Sequence, residues 1–211
     1  FVASAPAWWV FEWFNGYLGN WRYVGTDWAT VPRIAHATLC FSTVMPAVFT
    51  TADALDGVVP QRVGRSGPAI SGGRRLSVAL VVAGLALAAA VIGQPRWFFP
   101  AVWVCVLLIL DPLNDLAGWP SLLSQARRGN WRTALLLAAG ALVCGLWWEL
   151  WNYHSSPKWV YLVSLAPFGL DGTIADRKVF EMPLLGFGGY LPFGLELHAL
   201  HVARHVLRIG I

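Results

Sequence analysis

The sequence predicts an all-α protein, a polytopic transmembrane bundle of about six helices. Of its 211 residues, 57% are hydrophobic and only 12% are charged, whereas soluble domains carry roughly 25% charged residues. Residues 34–52 and 76–93 contain no charged side chain over 19 and 18 residues, and a helix needs about 20 apolar residues to cross a bilayer. A soluble domain of this length would bury one such helix but hardly several, so the composition indicates an integral membrane protein.

The predicted helices are separated by segments rich in glycine, proline and charge. They span residues 5–14, 32–55, 76–93, 97–110, 133–151 and 179–207. Pro32 suits the first turn of its helix, and the dipeptide Asp111-Pro112 is expected to end the fourth helix. The last segment begins with several prolines and glycines, a broken start that is tolerated at membrane depth where it faces protein or a cavity.

A short sequence phrase occurs twice. FEWFN at 11–15 is followed by WRY at 21–23, and WELWN at 148–152 is followed by WVY at 159–161. Each copy places a carboxylate and a carboxamide at i and i+3, on one face of a helix. A proline follows in the next helix of each copy, at Pro46 and Pro192, so the phrase predicts two parallel repeats whose functional site lies where they meet.

The repeats divide the chain into three regions. Residues 1–57 form the first repeat, which we expect to be incomplete at its N-terminus because Phe1 is not an initiator methionine. Residues 58–96 form a basic cytoplasmic loop and a linking transmembrane helix, and residues 97–211 form the second repeat.

The basic residues predict the orientation of the bundle. The loops at 56–75 and 112–132 and the C-terminal end hold nine of the fifteen Lys and Arg residues, and such loops lie on the cytoplasmic side. Both E-x-x-N phrases then lie on the external, periplasmic side of a bacterial inner membrane. Most of the tryptophans map to the same face.

Four glutamates in or at the edge of the membrane are candidate catalytic acids: Glu12, Glu149, Glu181 and Glu196. A charge at the bilayer centre costs at least about 2.5–3.5 kcal/mol, so an acid there suggests a function. The alternative for Glu196 is a protonated acid bonded to a backbone carbonyl. Glu12 and Glu149 lie nearer water, where they would instead fasten the following loop through cations such as Arg22 or Lys158.

The candidate substrate-binding residues are the amides and aromatic side chains around the two phrases: Asn15, Asn152, Trp148, Trp151, Trp159, Tyr161 and Tyr190. The two asparagines have an alternative role, the satisfaction of loose backbone groups at helix ends. The acids near the cytoplasmic helix ends, Asp53, Asp56, Asp111 and Asp115, are expected to pair with arginines.

No metal or other cofactor is predicted. His198, His201 and His205 share one face of the last helix and are weak metal candidates; packing or headgroup contact is the favoured explanation for them. The chain has no glycine-rich phosphate loop, no GxSxG and no HExxH. It also has no run of Lys and Arg with interleaved aromatics, so no nucleic-acid partner is expected.

The second repeat resembles a known family. The order of Trp148-Glu149, Trp159-x-Tyr161, Gly189-Tyr190-Leu191-Pro192 and Glu196 resembles a repeat unit of the small integral-membrane lycopene cyclases. In that family an adjacent pair of glutamates follows the proline, whereas this chain has the single Glu196. The resemblance covers roughly 1–55 and 97–207 and implies duplicated three-helix units joined by a linking helix. It also implies cofactor-free chemistry, in which a buried acid protonates an isoprenoid double bond and aromatic faces stabilise the cation. Residues 180–196 also resemble uncharacterised bacterial polytopic membrane proteins.

Three functions are therefore compatible with the sequence. The first is the binding, with or without acid–base modification, of a long apolar isoprenoid, carotenoid pigment or lipid between the repeats, with Glu196, Glu149 and Glu12 as acids. The enzyme would then be a cyclase or isomerase. The second is a non-catalytic subunit of a larger membrane complex, and the third is a small transporter. Membrane lipids are partners in all three.

Overall fold

The helices dominate the structure, a computed structural model that describes residues 1–207 and the side chains of residues 1–203. Helix accounts for 68% of the residues, so the all-α prediction is confirmed. Within residues 1–207 there are seven helices of twelve residues or more, where the sequence predicted about six. These are α1 (Ser4–Leu18), α2 (Thr30–Phe41), α3 (Val44–Val58), α4 (Gly73–Gly93), α6 (Val102–Leu116), α8 (Arg132–Tyr153) and α9 (Tyr190–Leu207), and the short helices are α5 (Pro95–Phe98) and α7 (Leu122–Arg127).

Four helical segments of the described chain are long and apolar enough to cross a membrane. They are Thr30–Val58, Gly73–Gly93, Pro95–Leu116 and Arg132–Tyr153. Each corresponds to a span predicted from the sequence.

The predicted helix at 32–55 is instead two helices, α2 and α3, with a break at Ser42 and Thr43. Pro46 has no backbone N–H and cannot continue the hydrogen-bond ladder. Ser4 of α1 bridges the break, because its hydroxyl donates to Phe41 O at 2.5 Å and accepts from Met45 N at 2.9 Å. The extra helix therefore depends on a contact with a residue about forty positions away.

The prediction that the fourth helix stops before Asp111 was wrong, since α6 runs through Pro112 to Leu116. Asp111 also does not pair with an arginine: its carboxylate accepts from the N–H groups of Leu122 at 2.7 Å and Leu123 at 2.8 Å. These N–H groups lie in the first turn of α7 and would otherwise have no partner within the helix. Asp111 thus joins α6 to α7 rather than ending α6.

Two other acids have the predicted arginine partners. Asp115 pairs with Arg127 at 2.7 Å, and Asp56 pairs with Arg132 at 2.6 Å. Arg132 also donates to the carbonyls of residues 56, 59, 60 and 63. The ion pair therefore ties the end of α3 and the loop after it to the start of α8.

Small residues bring the helices close together. A Cβ atom on Gly84 of α4 would lie 3.0 Å from Cys105 O of α6, and one on Gly140 of α8 would lie 3.1 Å from Val48 O of α3. Gly194 of α9 similarly lies against Leu137 O of α8. Close contact at glycine is characteristic of helix pairs in which packing, rather than side-chain polarity, holds the interface.

The connecting segments gather at opposite ends of the bundle. At one end the loops 59–72 and 117–131 meet, because Gly67 N donates to Gly129 O at 2.8 Å and Trp131 Nε1 to Pro68 O at 2.9 Å. At the other end the segment 154–189 passes over the start of α6, where Phe168 contacts Phe99 with ring centroids 5.7 Å apart.

Two short antiparallel sheets, which the sequence did not predict, lie in these connections. Strand β1 (Trp21–Val24) pairs with β2 (Lys158–Tyr161), and β3 (Lys178–Val179) pairs with β4 (Met182–Pro183). In the first sheet Trp21 lies opposite Tyr161 and Tyr23 lies opposite Trp159. The segments after the two sequence phrases are therefore hydrogen-bonded to each other.

Candidate functional site

The carboxylate of Glu12 lies inside a cage of neutral donors. Its Oε1 accepts from Trp8 Nε1 at 3.0 Å, from Trp21 Nε1 at 3.1 Å and from the Tyr23 hydroxyl at 2.6 Å. Trp8 is one turn earlier on α1, and Trp21 and Tyr23 point to one face of β1 because side chains alternate along a strand. Glu12 thus fastens the strand that follows its helix, but through indole and phenol groups and not through Arg22.

A second cage surrounds Glu149. Its Oε1 accepts from the Tyr161 hydroxyl at 2.6 Å, from the Tyr190 hydroxyl at 3.1 Å and from Trp159 Nε1 at 3.3 Å. Glu149 is fully buried, and its Oε2 is without a hydrogen-bond partner among the described residues. The expected cation does not reach it, since Lys158 pairs with Glu181 at 2.6 Å.

The two asparagines hold the backbone of the strands. Asn15 Nδ2 donates to Trp21 O at 2.8 Å, and its Oδ1 accepts from Trp21 N at 3.1 Å. Asn152 makes the same pair of contacts with Trp159, at 2.9 and 2.8 Å. In each phrase, therefore, the acid binds the strand's side chains and the amide three residues later binds its backbone.

The third donor of each cage comes from a different place. Trp8 fills this position for Glu12, whereas the residue four before Glu149 is Gly145. A Cβ on Gly145 would clash with the Tyr190 ring, so only a glycine leaves room for Tyr190 to reach Glu149. A donor from the same helix in one cage is thus replaced by a donor from the following helix in the other.

The tyrosines of the cages are held in their protonated form. Burial raises the pKa of Tyr161 well above its usual value, and Tyr190 and Glu149 raise that pKa further. Burial and the Glu12 carboxylate likewise raise the pKa of Tyr23. Both hydroxyls therefore remain donors at any physiological pH.

Aromatic rings fill the space between α1, α6 and α9. Phe193, the residue after Pro192, meets Phe11 and Trp8 edge-on with centroids 5.5 and 5.6 Å apart. Phe11 stacks on Trp103 at 5.5 Å, and Trp103 meets Phe193 at 6.0 Å. The space between α1, α6 and α9 is therefore a packed aromatic core.

Glu196 is fully buried between α9 and α6. Its Oε1 accepts a long hydrogen bond, 3.4 Å, from Leu107 N, and its Oε2 is without a hydrogen-bond partner among the described residues. A cavity of about 270 Å³ lies beside it, lined by Leu107 and by Leu195, its chain neighbour, together with Leu80, Leu108 and Ala134. This fully buried acid thus stands next to a largely apolar space.

The remaining predicted residues lie apart from Glu196. Trp148 is half-buried and its ring lies 6.1 Å from that of Tyr190, while Trp151 is 60% exposed and lies beside Trp147. Glu181 is in the ion pair with Lys158 at the end of the bundle. The structure therefore groups Trp148, Trp159, Tyr161 and Tyr190 around Glu149, and it leaves Trp151 and Glu181 outside both cages.

The histidines of the last helix face a second cavity. His198 and His201 line it, and the His201 ring meets Phe49 of α3 at 5.3 Å. The side chain of His205 lies outside the described residues. Among the described side chains, no group of three His, Cys, Asp or Glu residues is arranged to hold a metal ion.

Trp8, Trp21 and Tyr23 were missed as site residues, although the sequence contains a signal for all three. The Trp-x-Tyr spacing at 21–23 equals that at 159–161, and a spacing of two puts both side chains on one face of a strand. A tryptophan one helical turn before Glu12 is likewise within reach of it.

No known protein-family model, curated protein or solved structure matches this chain.

Proposed function

We propose that this chain is a polytopic membrane protein that holds a long apolar isoprenoid, carotenoid or lipid and acts on it through a buried carboxylic acid. Four helical segments of sufficient length and hydropathy support the membrane assignment. The position of the Arg-rich loops at one end of the bundle supports a bacterial inner membrane with that end cytoplasmic. The cages would then face the periplasm.

The same proposal includes two parallel units related by a two-fold axis along the membrane normal. The matched contacts of Glu12 with Asn15 and of Glu149 with Asn152 support it. So does the β1–β2 register, because exchanging Trp21 with Trp159 and Tyr23 with Tyr161 reproduces the same pairs. Helix α4, which packs on α6, takes the place of the linking helix.

The observation that carries the chemical proposal is Glu196. A carboxyl group buried among apolar helices without an ionic partner is protonated, because the charged form loses its hydration. With Oε1 held by Leu107 N and Oε2 unpartnered, the acid proton has no acceptor among the described residues. In this proposal its acceptor is a ligand in the adjacent cavity, from which Leu107 and Leu195 now separate it. Protonation of a carbon–carbon double bond by such an acid is general acid catalysis.

The cages make Glu12 and Glu149 supports in this proposal. Each has three donors on one oxygen, and removal of either acid would release a strand as well as change the site. Because one oxygen of each acid is already occupied by three donors, the cages also favour the second candidate. That candidate is a non-catalytic subunit in which the cages fix the periplasmic surface for a partner protein. The two candidates differ in what Glu196 does.

The test compares Glu196→Gln with the wild-type protein. Gln keeps the volume and can still accept from Leu107 N, but it has no acid proton. Lipids extracted from both purified proteins are identified by mass spectrometry, and the bound isoprenoid class is then incubated with each. We expect wild type to convert or isomerise the ligand and the variant to bind it with no turnover. Turnover by a folded Glu196→Gln protein would contradict the proposal, and a wild-type protein with no isoprenoid would favour the subunit.

A further inference from the structure

A second cavity opens at the end of the bundle opposite the cages. It has a volume of about 490 Å³ and lies between α3, α8, α9 and the loop 59–72. None of the residues discussed for Glu196 chemistry lines it. Its walls combine an apolar side, formed by Phe49, Leu136 and Leu137, with several charged or polar groups.

Most of the polar groups in the cavity are already satisfied. Arg132 uses its guanidinium for Asp56 and for four backbone carbonyls. The Thr133 hydroxyl donates to Gln125 at 2.7 Å. The Asp56–Arg132 pair therefore balances its own charge and offers little to a ligand.

Two charged groups remain available among the described residues, and they come from different elements. Asp53 of α3 is exposed and makes no hydrogen bond or ion pair with the described side chains. Arg65 of the loop uses one nitrogen, Nη2, to donate to Gln61 at 2.7 Å, and its other guanidinium N–H groups have no partner among the described residues. His198 Nδ1 of α9 also has no hydrogen-bond partner in the described part of the chain, but it is a buried atom that a ligand in the cavity does not reach.

These groups define the ligand by its charges. A simple anion would pair with Arg65 but face the Asp53 carboxylate, and a simple cation would have the reverse problem. A zwitterion pairs with both Arg65 and Asp53. Arginine binds phosphate with two parallel hydrogen bonds, a carboxylate binds a primary ammonium, and the apolar wall suits a hydrocarbon chain.

We propose that this cavity binds an aminoalkyl phosphate headgroup, with the ammonium at Asp53 and the phosphate at Arg65. The apolar wall indicates that the headgroup belongs to a phospholipid of the inner leaflet. The headgroup chemistry is independent of the role of Glu196, whereas the lipid as its source rests on the membrane placement proposed above.

The test measures lipid binding to the full chain in detergent by native mass spectrometry. The probes are phosphatidylethanolamine, phosphatidylglycerol, which lacks the ammonium, and free phosphoethanolamine. We expect phosphatidylethanolamine to bind at least tenfold more tightly than phosphatidylglycerol. Equal binding of phosphatidylethanolamine and free phosphoethanolamine would retain the headgroup site but make a soluble compound its ligand.

Three variants check the assignment. Asp53→Asn and Arg65→Gln, both at exposed positions, should each weaken phosphatidylethanolamine binding about tenfold. Asp27→Asn, at an exposed acid at the other end of the bundle, should leave it unchanged. Equal affinity for the two lipids, or full affinity in Asp53→Asn, would overturn the proposal.

Discussion

At the scale of single residues, the carboxylates at the ends of α1 and α8 have neutral partners. Three donors that carry no charge converge on one oxygen of Glu12 and on one oxygen of Glu149. Hydrogen bonds to a carboxylate are stronger than those between neutral groups, so these cages hold their strands without an ion pair. The sequence indicated that both acids face a following loop, but a lone motif cannot show which donors reach them.

The Asn152 amide has two backbone contacts that no other side chain reproduces. Asn152→Asp keeps the acceptor for Trp159 N but places a second oxygen against Trp159 O, which leaves a buried carbonyl unpaired. We expect a loss of about 1–3 kcal/mol in the free energy of unfolding, measured by tryptophan fluorescence in detergent. Asn15→Asp, at a more exposed copy of the same contact, should lose less, and equal losses would show that burial does not set the cost.

The raised pKa of Tyr161 predicts a dependence of stability on alkaline pH. In the unfolded chain this tyrosine ionises near its ordinary pKa of 10.0, whereas in the fold it keeps its proton to a higher pH. The contribution of Tyr161 to the free energy of unfolding is therefore fully present below pH 10. It falls as the pH rises above 10, because only the unfolded state then releases the proton. Denaturant titrations between pH 8 and 11.5 should show this fall, and Tyr161→Phe should have a shallower one; identical slopes would contradict the prediction.

At the scale of elements, long apolar runs predicted the helices well, but they did not predict the break between α2 and α3 or the pairing of β1 with β2. The spans at 76–93 and 133–151 agree with α4 and α8 within about three residues, because a continuous apolar run determines a helix by itself. The break between α2 and α3 was not predicted, because Pro46 by itself does not end a helix and the Ser4 hydroxyl that bonds the backbone on both sides of the break belongs to another helix. Strands β1 and β2 have only four residues each, and their pairing follows from how the helices bring them together.

The contact between α8 and α9 at Gly145 gives a prediction of its own. Gly145→Ala would place a methyl group against the Tyr190 ring and push its hydroxyl away from Glu149. We expect a destabilisation of about 1–3 kcal/mol, as for other overpacked sites, measured by thermal unfolding. Gly16→Ala is the matched control, since a Cβ there meets nothing within 4 Å; it should be neutral or slightly stabilising. An equal effect at both glycines would contradict the role of Tyr190.

At the scale of the whole molecule, the proposed orientation places the loop 59–72 in the cytoplasm and the segment 154–189 outside. Single cysteines at Ser66→Cys and Thr173→Cys, both exposed positions, test it in a Cys40→Ser background, since Cys105 and Cys144 are buried. A membrane-impermeant maleimide should label the Thr173→Cys protein in intact spheroplasts and the Ser66→Cys protein only after lysis. The opposite pattern would reverse the orientation, and labelling of both in intact cells would contradict the bundle as a membrane span.

The β1–β2 ladder has a consequence for how such a chain can arise. Because its register is unchanged when the two strands exchange places, β2 is also a suitable partner for a copy of itself, with Trp159 opposite Tyr161 and Val160 opposite Val160. Two separate half-length chains could meet across this ladder and form the same contacts, as a homodimer does. If the two proposed units arose from such a dimer, the exchange of Trp8 for Tyr190 as third donor is a divergence that becomes accessible once both units are on one chain and each changes alone.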